Sequence, residues 1–305
     1  MSPKRVKLIL NPMADMGNAW RLAAALQPIV EEFGSADWAG TVYPTHATEL
    51  AQWAAEDGYD VVVAVGGDGT VHEIVNGLMR VPAERRPKLS VVPMGSGNDF
   101  ATAVGAKESP PEALKQAFSG TPKRFDLGLI SDKHGRQEYF DNTMGIGFDT
   151  TATLRSHKLP LLRGFLMYFT AVIQTIIMDH EAPKMQFSSD EEQWERETLM
   201  LVVCNGPREG GGFIIAPDAV NNDGVFNYTA VDHVSRAMMF RLVPEFMKGT
   251  HGRFSSVYMG KLKKLALKSD RAMYIHTDGE IYAGFGTDVR EINLEVIPGA
   301  IEVVV

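Results

Sequence analysis

The sequence predicts a two-part chain. An open parallel α/β sheet covered by helices spans residues 1–125, a β-rich sandwich spans 126–299, and the last segment, 300–305, is expected to return to the first part. Three observations predict it. Four units of strand, loop and helix succeed one another within roughly the first 110 residues, the order of a parallel sheet with helices on both faces. From Pro122 onward, strand-like runs follow each other without regular helices between them, as in an antiparallel sandwich or barrel. At 305 residues the chain is also too long for one typical core.

The first unit has an apolar run from Val6 to Leu10, then Asn11-Pro12, a small polar loop from Met13 to Asn18, and a helix from Trp20. A second runs through a strand at Thr41-Val42-Tyr43 to Pro44-Thr45, with a helix over Thr48 to Ala55. The third carries the chemistry. Valines from Val61 end at Gly66-Gly67-Asp68-Gly69-Thr70, and apolar residues return at Val71, Ile74, Val75 and Leu78. That pattern is a buried strand, a tight glycine loop and an amphipathic helix. Thr70 with Glu73 has the form of a capping box, so the helix is expected to start at Val71 with its first amides over the loop. Glycines let a ligand approach the backbone, and helix N-terminal amides favour an anion, so the loop reads as a phosphate cradle. Asp68 would repel a phosphate unless a divalent cation lay between them, and magnesium is the usual one. The alternative is a plain strand-to-helix turn with Asp68 solvated.

The fourth unit has a strand at Leu89 to Val92, the loop Pro93 to Asn98, and a helix from Asp99 through Val104. All four loops fall on the carboxyl rim of the sheet, where such folds bind ligands. The dinucleotide fingerprint G-x-G-x-x-G is absent, which counts against a Rossmann dehydrogenase.

In the second part, strand-like runs occur at Arg124 to Ile130, Glu138 to Asn142, Trp194 to Cys204, Gly224 to Val231, Ser256 to Leu267, Ala272 to His276 and Ile292 to Ile297. Two helices interrupt them, Thr151 to Met178 with a break near Pro160, and Ser235 to Lys248 with Pro244 inside it. The stretch Leu161 to Met178 is strongly apolar, yet Arg163, Gln174 and its marginal length argue against a membrane span. By themselves, Asp278-Gly279 and Asn222-Asp223-Gly224 read as turns.

Bulk properties narrow the function. With 45% hydrophobic and 22% charged residues the chain is an ordinary globular protein, and a net charge of −8 gives no reason to expect nucleic acid. Its one cysteine, Cys204, lies in the apolar run LMLVVC and reads as core rather than nucleophile. The N-terminal apolar run ends too soon for a signal peptide, so a cytoplasmic location is expected.

With Gly66-Gly67-Asp68-Gly69-Thr70 followed by Gly95-Ser96-Gly97-Asn98-Asp99-Phe100-Ala101, the chain resembles the diacylglycerol kinase and sphingosine kinase superfamily, particularly its small bacterial members. Asn11-Pro12, Met144 to Asp149, Asn205-Gly206 with Gly210-Gly211-Gly212, Pro217 with Asn222-Asp223-Gly224, and Asp278-Gly279-Glu280 fall in the family's order, so the resemblance covers essentially the whole chain. It implies a phosphofructokinase-like nucleotide domain, a C-terminal β-sandwich, and an ATP- and magnesium-dependent kinase of a lipid hydroxyl. Carried over by position, Asn11, Thr45, Gly67, Asp68, Gly69, Thr70, Val71, His72, Glu73, Ser96 and Asn98 would bind ATP. Asp68 would help place the catalytic magnesium and Glu280 would accept the hydroxyl proton. Asp278, two residues away, would share a face with Glu280 if the segment remains a strand, and would then lean toward the metal or the Asp68 loop. Val220 and Val225 through their carbonyls, with the Asp223 carboxylate, would hold a second magnesium. The side chains of His72 and His276 lack ligand-spaced partners and read as packed or solvated.

The resemblance also implies a lipid substrate at a membrane surface, with transient membrane association; monomer and homodimer both stay open. Arg155, His157, Lys158 and Arg163, or Lys261, Lys263, Lys264 and Lys268, would form the basic docking patch. Asp15 and Thr102 stand where many members are basic, which bears on the lipid's identity. The alternatives are a kinase of a soluble substrate such as NAD, and a silent nucleotide-binding regulator.

Overall fold

The computed structural model describes residues 4–95, 97–159, 162 and 164–305. The chain divides into two compact units: Met1–Asp126 with Gly299–Val305, and Leu127–Pro298. The first unit contains β1 (Val6–Leu10), α1 (Asn18–Phe33), β2 (Asp37–Gly40), α2 (His46–Glu56), β3 (Val61–Gly66), α3 (Asp68–Leu78), β4 (Lys88–Pro93), α4 (Asp99–Val104), α5 (Pro110–Ser119) and the start of β5 (Pro122–Asp132). Its strands run parallel in the order β2-β1-β3-β4, and the returning C-terminal segment pairs beside β4 through Val303 opposite Leu89. Thr121 and Val305 exchange backbone hydrogen bonds, and the buried Asp126 carboxylate accepts the Gly299 amide at 2.7 Å, pinning the return.

Every residue of β3 is buried, because helices cover both faces of the sheet. Val61, Val63 and Val65 join Val6, Leu8 and Leu10 in a core with Leu26 of α1 and Leu114 of α5. The alternate residues Val62 and Ala64 are equally buried on the other face. The helix α2 crosses α3 closely because Gly77 has no side chain; a Cβ there would overlap the Thr48 carbonyl.

The second strand differs from the sequence expectation. It is Asp37–Gly40, while Thr41 to Tyr43 form the loop after it. Hydrophobic character at Val42 and Tyr43 misled the assignment, since both side chains are exposed, whereas Trp38 packs on the core and bonds Gln27 at 3.1 Å.

The second unit adds β6 (Gln137–Phe140), β7 (Thr143–Gly147), α6 (Phe148–Ser156), α7 (Gly164–Met178), β8 (Lys184–Ser189), β9 (Gln193–Cys204), β10 (Arg208–Glu209), β11 (Phe213–Ile214), β12 (Phe226–Asp232), α8 (Arg236–Lys248), β13 (Val257–Leu262), β14 (Lys264–Ser269), β15 (Ile275–Thr277), β16 (Glu280–Ala283) and β17 (Glu291–Val304). Its strands pair antiparallel. The long β9 serves two sheets. Its first half pairs with β8, which continues to β14 and β17, and its second half lies between β7 and β12. Period-two alternation then sorts the apolar run. Leu201 and Val203 enter the sandwich core with Phe140, Phe187 and Tyr228. Met200, Val202 and Cys204 point the other way, into a second core covered by α6, α7 and α8. Cys204 is a buried packing residue, and burial pushes its thiol well above the usual range. Among the described residues no helix is long and apolar enough to cross a membrane.

Candidate active site

In the first unit, the glycine segment is itself the first turn of the helix. The helix α3 begins at Asp68 rather than Val71, with Gly67 as its N-cap, and the amides of Thr70 and Val71 already donate to the Gly67 carbonyl. The expected Thr70–Glu73 capping box does not form. Glu73 instead reaches sideways, its carboxylate accepting the amides of Thr45 at 2.8 Å and Ala47 at 3.0 Å, while the Thr48 hydroxyl donates to the Glu73 carbonyl. Glu73 thus caps α2 from α3, and Thr45 is its strained N-cap residue, with φ 71. Sequence spacing alone cannot separate a cap within one helix from a cap on its neighbour. The side chains of Thr70, Val71 and His72 are buried, and the His72 ring lies 3.4 Å from the Asn76 amide, so only the backbone of that turn is available to a ligand.

Asp68 links two loops. Its Oδ2 accepts the Asn98 amide at 2.7 Å and its Oδ1 accepts the Phe100 amide at 3.3 Å. Asn98 closes the second loop on itself: its side chain donates to the Gly95 carbonyl and accepts the Gly95 amide, both at 2.9 Å. It does so in the left-handed region, φ 60, which asparagine tolerates. The two loops touch backbone to backbone, since a Cβ on Gly67 would meet the Gly95 Cα at 2.9 Å. Asn11 folds the end of β1 by accepting the Met13 amide at 3.0 Å, and Asp15 accepts the Asn18 side-chain amide at 3.0 Å. Ser96 lies outside the described residues. Thr102 bonds the Asn98 carbonyl at 3.0 Å.

In the second unit, Asp278-Gly279 is a two-residue hairpin turn between β15 and β16, with φ of 51 and 86. Asp278 and Glu280 therefore do not share a strand face, because the segment is the turn that Asp278-Gly279 reads as by itself and not a continuous strand. The Asp278 carboxylate is turned inward, accepting the amides of Asp141 at 2.9 Å, Asn142 at 2.9 Å and Thr143 at 3.0 Å. Glu280 is exposed at the first position of β16.

Under the hairpin lies a cluster that sequence reasoning left without a role. The Nε2 of His276 stands 2.8 Å from Asp149 Oδ2 and 3.1 Å from Glu209 Oε1, and Tyr168 donates to Asp149 Oδ1 at 2.7 Å. Asp149, Glu209 and His276 itself are all buried. Burial works against the charged imidazole, while Glu209 and Asp149 favour it and raise its pKa. Against a second ring proton stands the Gly279 amide, which points at Nδ1 from 3.2 Å. A directed N–H contact is the stricter constraint, so the ring carries its proton on Nε2. Burial, with Asp149 and Glu209, also raises the Tyr168 hydroxyl well above its usual range. The available signal was His276 two residues before Asp278, together with the buried-looking GIGFD segment; Glu209 had none.

Beside this cluster, a small apolar cavity of about 60 Å³ opens within the helix-side core, lined by Tyr168, Val172, Met200, Val231, Met239 and Leu242 among others, with Asp149 the one acidic residue of its wall among the described residues. The loop proposed for a second metal is half-exposed. Asp223 accepts the Val225 amide at 3.2 Å, and Lys261 lies 3.8 Å from its other oxygen. Two carbonyls and a carboxylate are hard oxygen donors of the kind magnesium takes, with Lys261 as a competing cation. In the later lysine patch Lys261, Lys264 and Lys268 each lie beside an acid, Asp223, Glu295 and Glu291 respectively. Arg155 pairs with Asp179, and Arg163 lies outside the described residues.

A parallel α/β sheet with glycine loops at its carboxyl rim is followed in the same chain by an antiparallel sandwich, and both parts match domains of kinases that transfer phosphate to an alcohol. Residues 5–130 match the diacylglycerol kinase catalytic domain, and residues 142–305 match the YegS C-terminal NAD kinase beta sandwich-like domain. The chain is 30% identical over 258 residues to a probable lipid kinase YegS-like protein of Serratia proteamaculans, covering 84% of this chain and 80% of that one. It is 28% identical over 287 residues to the diacylglycerol kinase of Bacillus subtilis, covering 92% and 91%. A putative diacylglycerol kinase from Bacillus anthracis shares the fold with a TM-score of 0.78 at 22% identity, over 100% of this chain and 98% of that one. The chain belongs to the lipid kinase family that contains the YegS-like and diacylglycerol kinases.

Proposed function

We propose that this protein transfers the γ-phosphoryl group of ATP to a hydroxyl of diacylglycerol or a related glycerolipid, with magnesium, and that Glu280 accepts the hydroxyl proton. The observation that carries a lipid rather than a soluble acceptor is the cavity of the second unit. Its wall is almost wholly apolar, which suits the methylenes of an acyl tail and not a nucleotide. In the first unit, the Gly67 and Gly95 loops and the first turn of α3 would hold the ATP phosphates. Asn11 and Thr45 stand on neighbouring loops of the same rim, and Ser96 follows Gly95 in the sequence.

Phosphoryl transfer asks a protein for alignment, charge neutralisation and late removal of one proton. Asp68 shapes the phosphate loops by holding the Asn98 and Phe100 amides, and its carboxylate would be the group that helps hold a magnesium beside the phosphates. The metal would supply neutralisation of the phosphate oxygens. Val220, Asp223 and Val225 would hold a second, structural ion. Glu280, exposed and unencumbered by the turn that carries it, suits a base that must reach an incoming alcohol. Asp278 then serves as a brace rather than a reacting group. Lipid access is proposed through the apolar outer residues of α7, where Leu166, Ile177 and Met178 are exposed beside the cavity-lining Val172 and Ile176.

The test is phosphorylation with γ-labelled ATP of a panel of diacylglycerol, monoacylglycerol, other lipid alcohols and NAD. Label in the organic phase, dependent on magnesium, is expected. Label only on the soluble acceptor would overturn the proposal.

A further inference from the structure

We infer that His276 is a positioning residue, a buried imidazole that fixes the turn beneath Glu280 to Asp149 and Glu209 and, through Asp149 and Tyr168, to the wall of the apolar cavity. The inference rests on the reading of Glu280 as the base. Each ring nitrogen has its own partner: Nε2 faces the two carboxylates at 2.8 and 3.1 Å, and Nδ1 takes the amide of Gly279, the residue before Glu280, at 3.2 Å. Rotating the ring would break contacts on both sides at once, deep in a fully buried site where unmade polar contacts are costly. The room for this clamp is built in. A Cβ on Gly145 would overlap both the Asp149 carboxylate and the His276 ring, so bare backbone stands where they meet.

One histidine and two acids also have the composition of a metal site. A metal would take the Nε2 lone pair and leave the proton on Nδ1, aimed at the Gly279 N–H, so the observed donor at Nδ1 opposes that arrangement. The cluster is built around a proton. The hairpin it braces is short, three residues on one strand and four on the other, and a turn of that size has little packing of its own to set where Glu280 stands. Asp278 secures the turn from one side through the amides of residues 141–143, and His276 secures it from the other.

The experiment compares the full-length parent with His276→Gln, Glu209→Gln, Glu280→Gln and the double variant His276→Gln/Glu280→Gln, using ATP and diacylglycerol micelles. A glutamine amide can face the carboxylates but cannot also receive Gly279. The expected kcat loss in His276→Gln is at least about 10-fold, within the roughly 100-fold that a 1 Å misplacement can cost, with the KM for ATP unchanged. In the Glu280→Gln background the same substitution is expected to change the rate by less than about twofold, because it acts through Glu280. Nitrogen NMR of the parent should show His276 protonated at Nε2 and bare at Nδ1. Should His276→Gln fail to fold, Glu209→Gln keeps the ring and is expected to lower kcat, and adding it to Glu280→Gln in a second double variant is expected to cost nothing further. Parent-like kcat in the folded variants, an equal loss with and without Glu280, or a ring protonated at Nδ1 would overturn the inference. A parent-like rate in Glu280→Gln alone would instead remove the base, a separate failure.

Discussion

Replacing Asp278 by asparagine isolates the brace from the backbone it sits in. Asparagine tolerates the left-handed φ of 51 as aspartate does, so the turn itself is not strained by the change. The amide oxygen can still accept the Asn142 and Thr143 amides, which share Oδ1. The new NH2 then faces the Asp141 amide, previously bonded to Oδ2 at 2.9 Å. One hydrogen bond to a charged group is lost, worth roughly 1.5 to 3 kcal/mol, and the half-buried position puts the cost near the middle, about 2 kcal/mol. That converts to a roughly 30-fold faster opening of the segment 141–143. Native-state hydrogen exchange at those amides is the assay, read beside kcat. Exchange should quicken by about that factor, and kcat should fall about 10-fold with ATP binding intact. Exchange within about twofold of the parent would refute the assignment of Asp278 as the brace.

Other perturbations test separate parts of the account. Asp68→Ala frees the Asn98 and Phe100 amides and removes the negative charge from the cradle, so turnover should be abolished and ATP affinity should fall; near-parent turnover would refute its role. Filling the cavity with Val172→Trp should raise the KM for long-chain lipid while sparing ATP binding, and equal kinetics for long and short acyl chains in parent and variant would count against an acyl site. Glu245 tests the helix-side core by pH. Hydrogen bonds from Thr250 and Arg241, with the Arg253 charge added, lower its pKa to about 2 against the opposing effect of burial. A depressed carboxylate pKa stabilises the fold above the ordinary value of about 4.5 and loses that contribution as pH falls toward 2. Thermal melting of the parent should therefore decline across that window, more steeply than in Glu245→Gln; identical pH profiles would contradict the assignment.

What was legible in the sequence follows from how local each interaction is. The strands β1, β3 and β4 and the helix α4 were readable because short apolar runs next to glycine loops have few other solutions. Cys204 was readable as core because it ends the apolar run LMLVVC, and the structure buries that run on both faces of β9. Long-range hydrogen bonds were not legible. Glu73 caps a helix that begins 27 residues earlier, Asp278 holds amides more than 130 residues away, and His276 meets Asp149 across 127. Nothing in spacing announces such partners. The family pattern marked Asp68, Asp278 and Glu280 as a set, and the structure separates them by what each carboxylate touches: loop amides, turn amides and solvent.

The central claim is that an alcohol on a lipid loses its proton to Glu280 as phosphate arrives from ATP. Single-turnover transfer from γ-labelled ATP to diacylglycerol, with ATP binding measured in parallel, tests it most directly in parent and Glu280→Gln. The account predicts at least about 100-fold slower transfer with unchanged nucleotide affinity. Transfer at the parent's rate would contradict it.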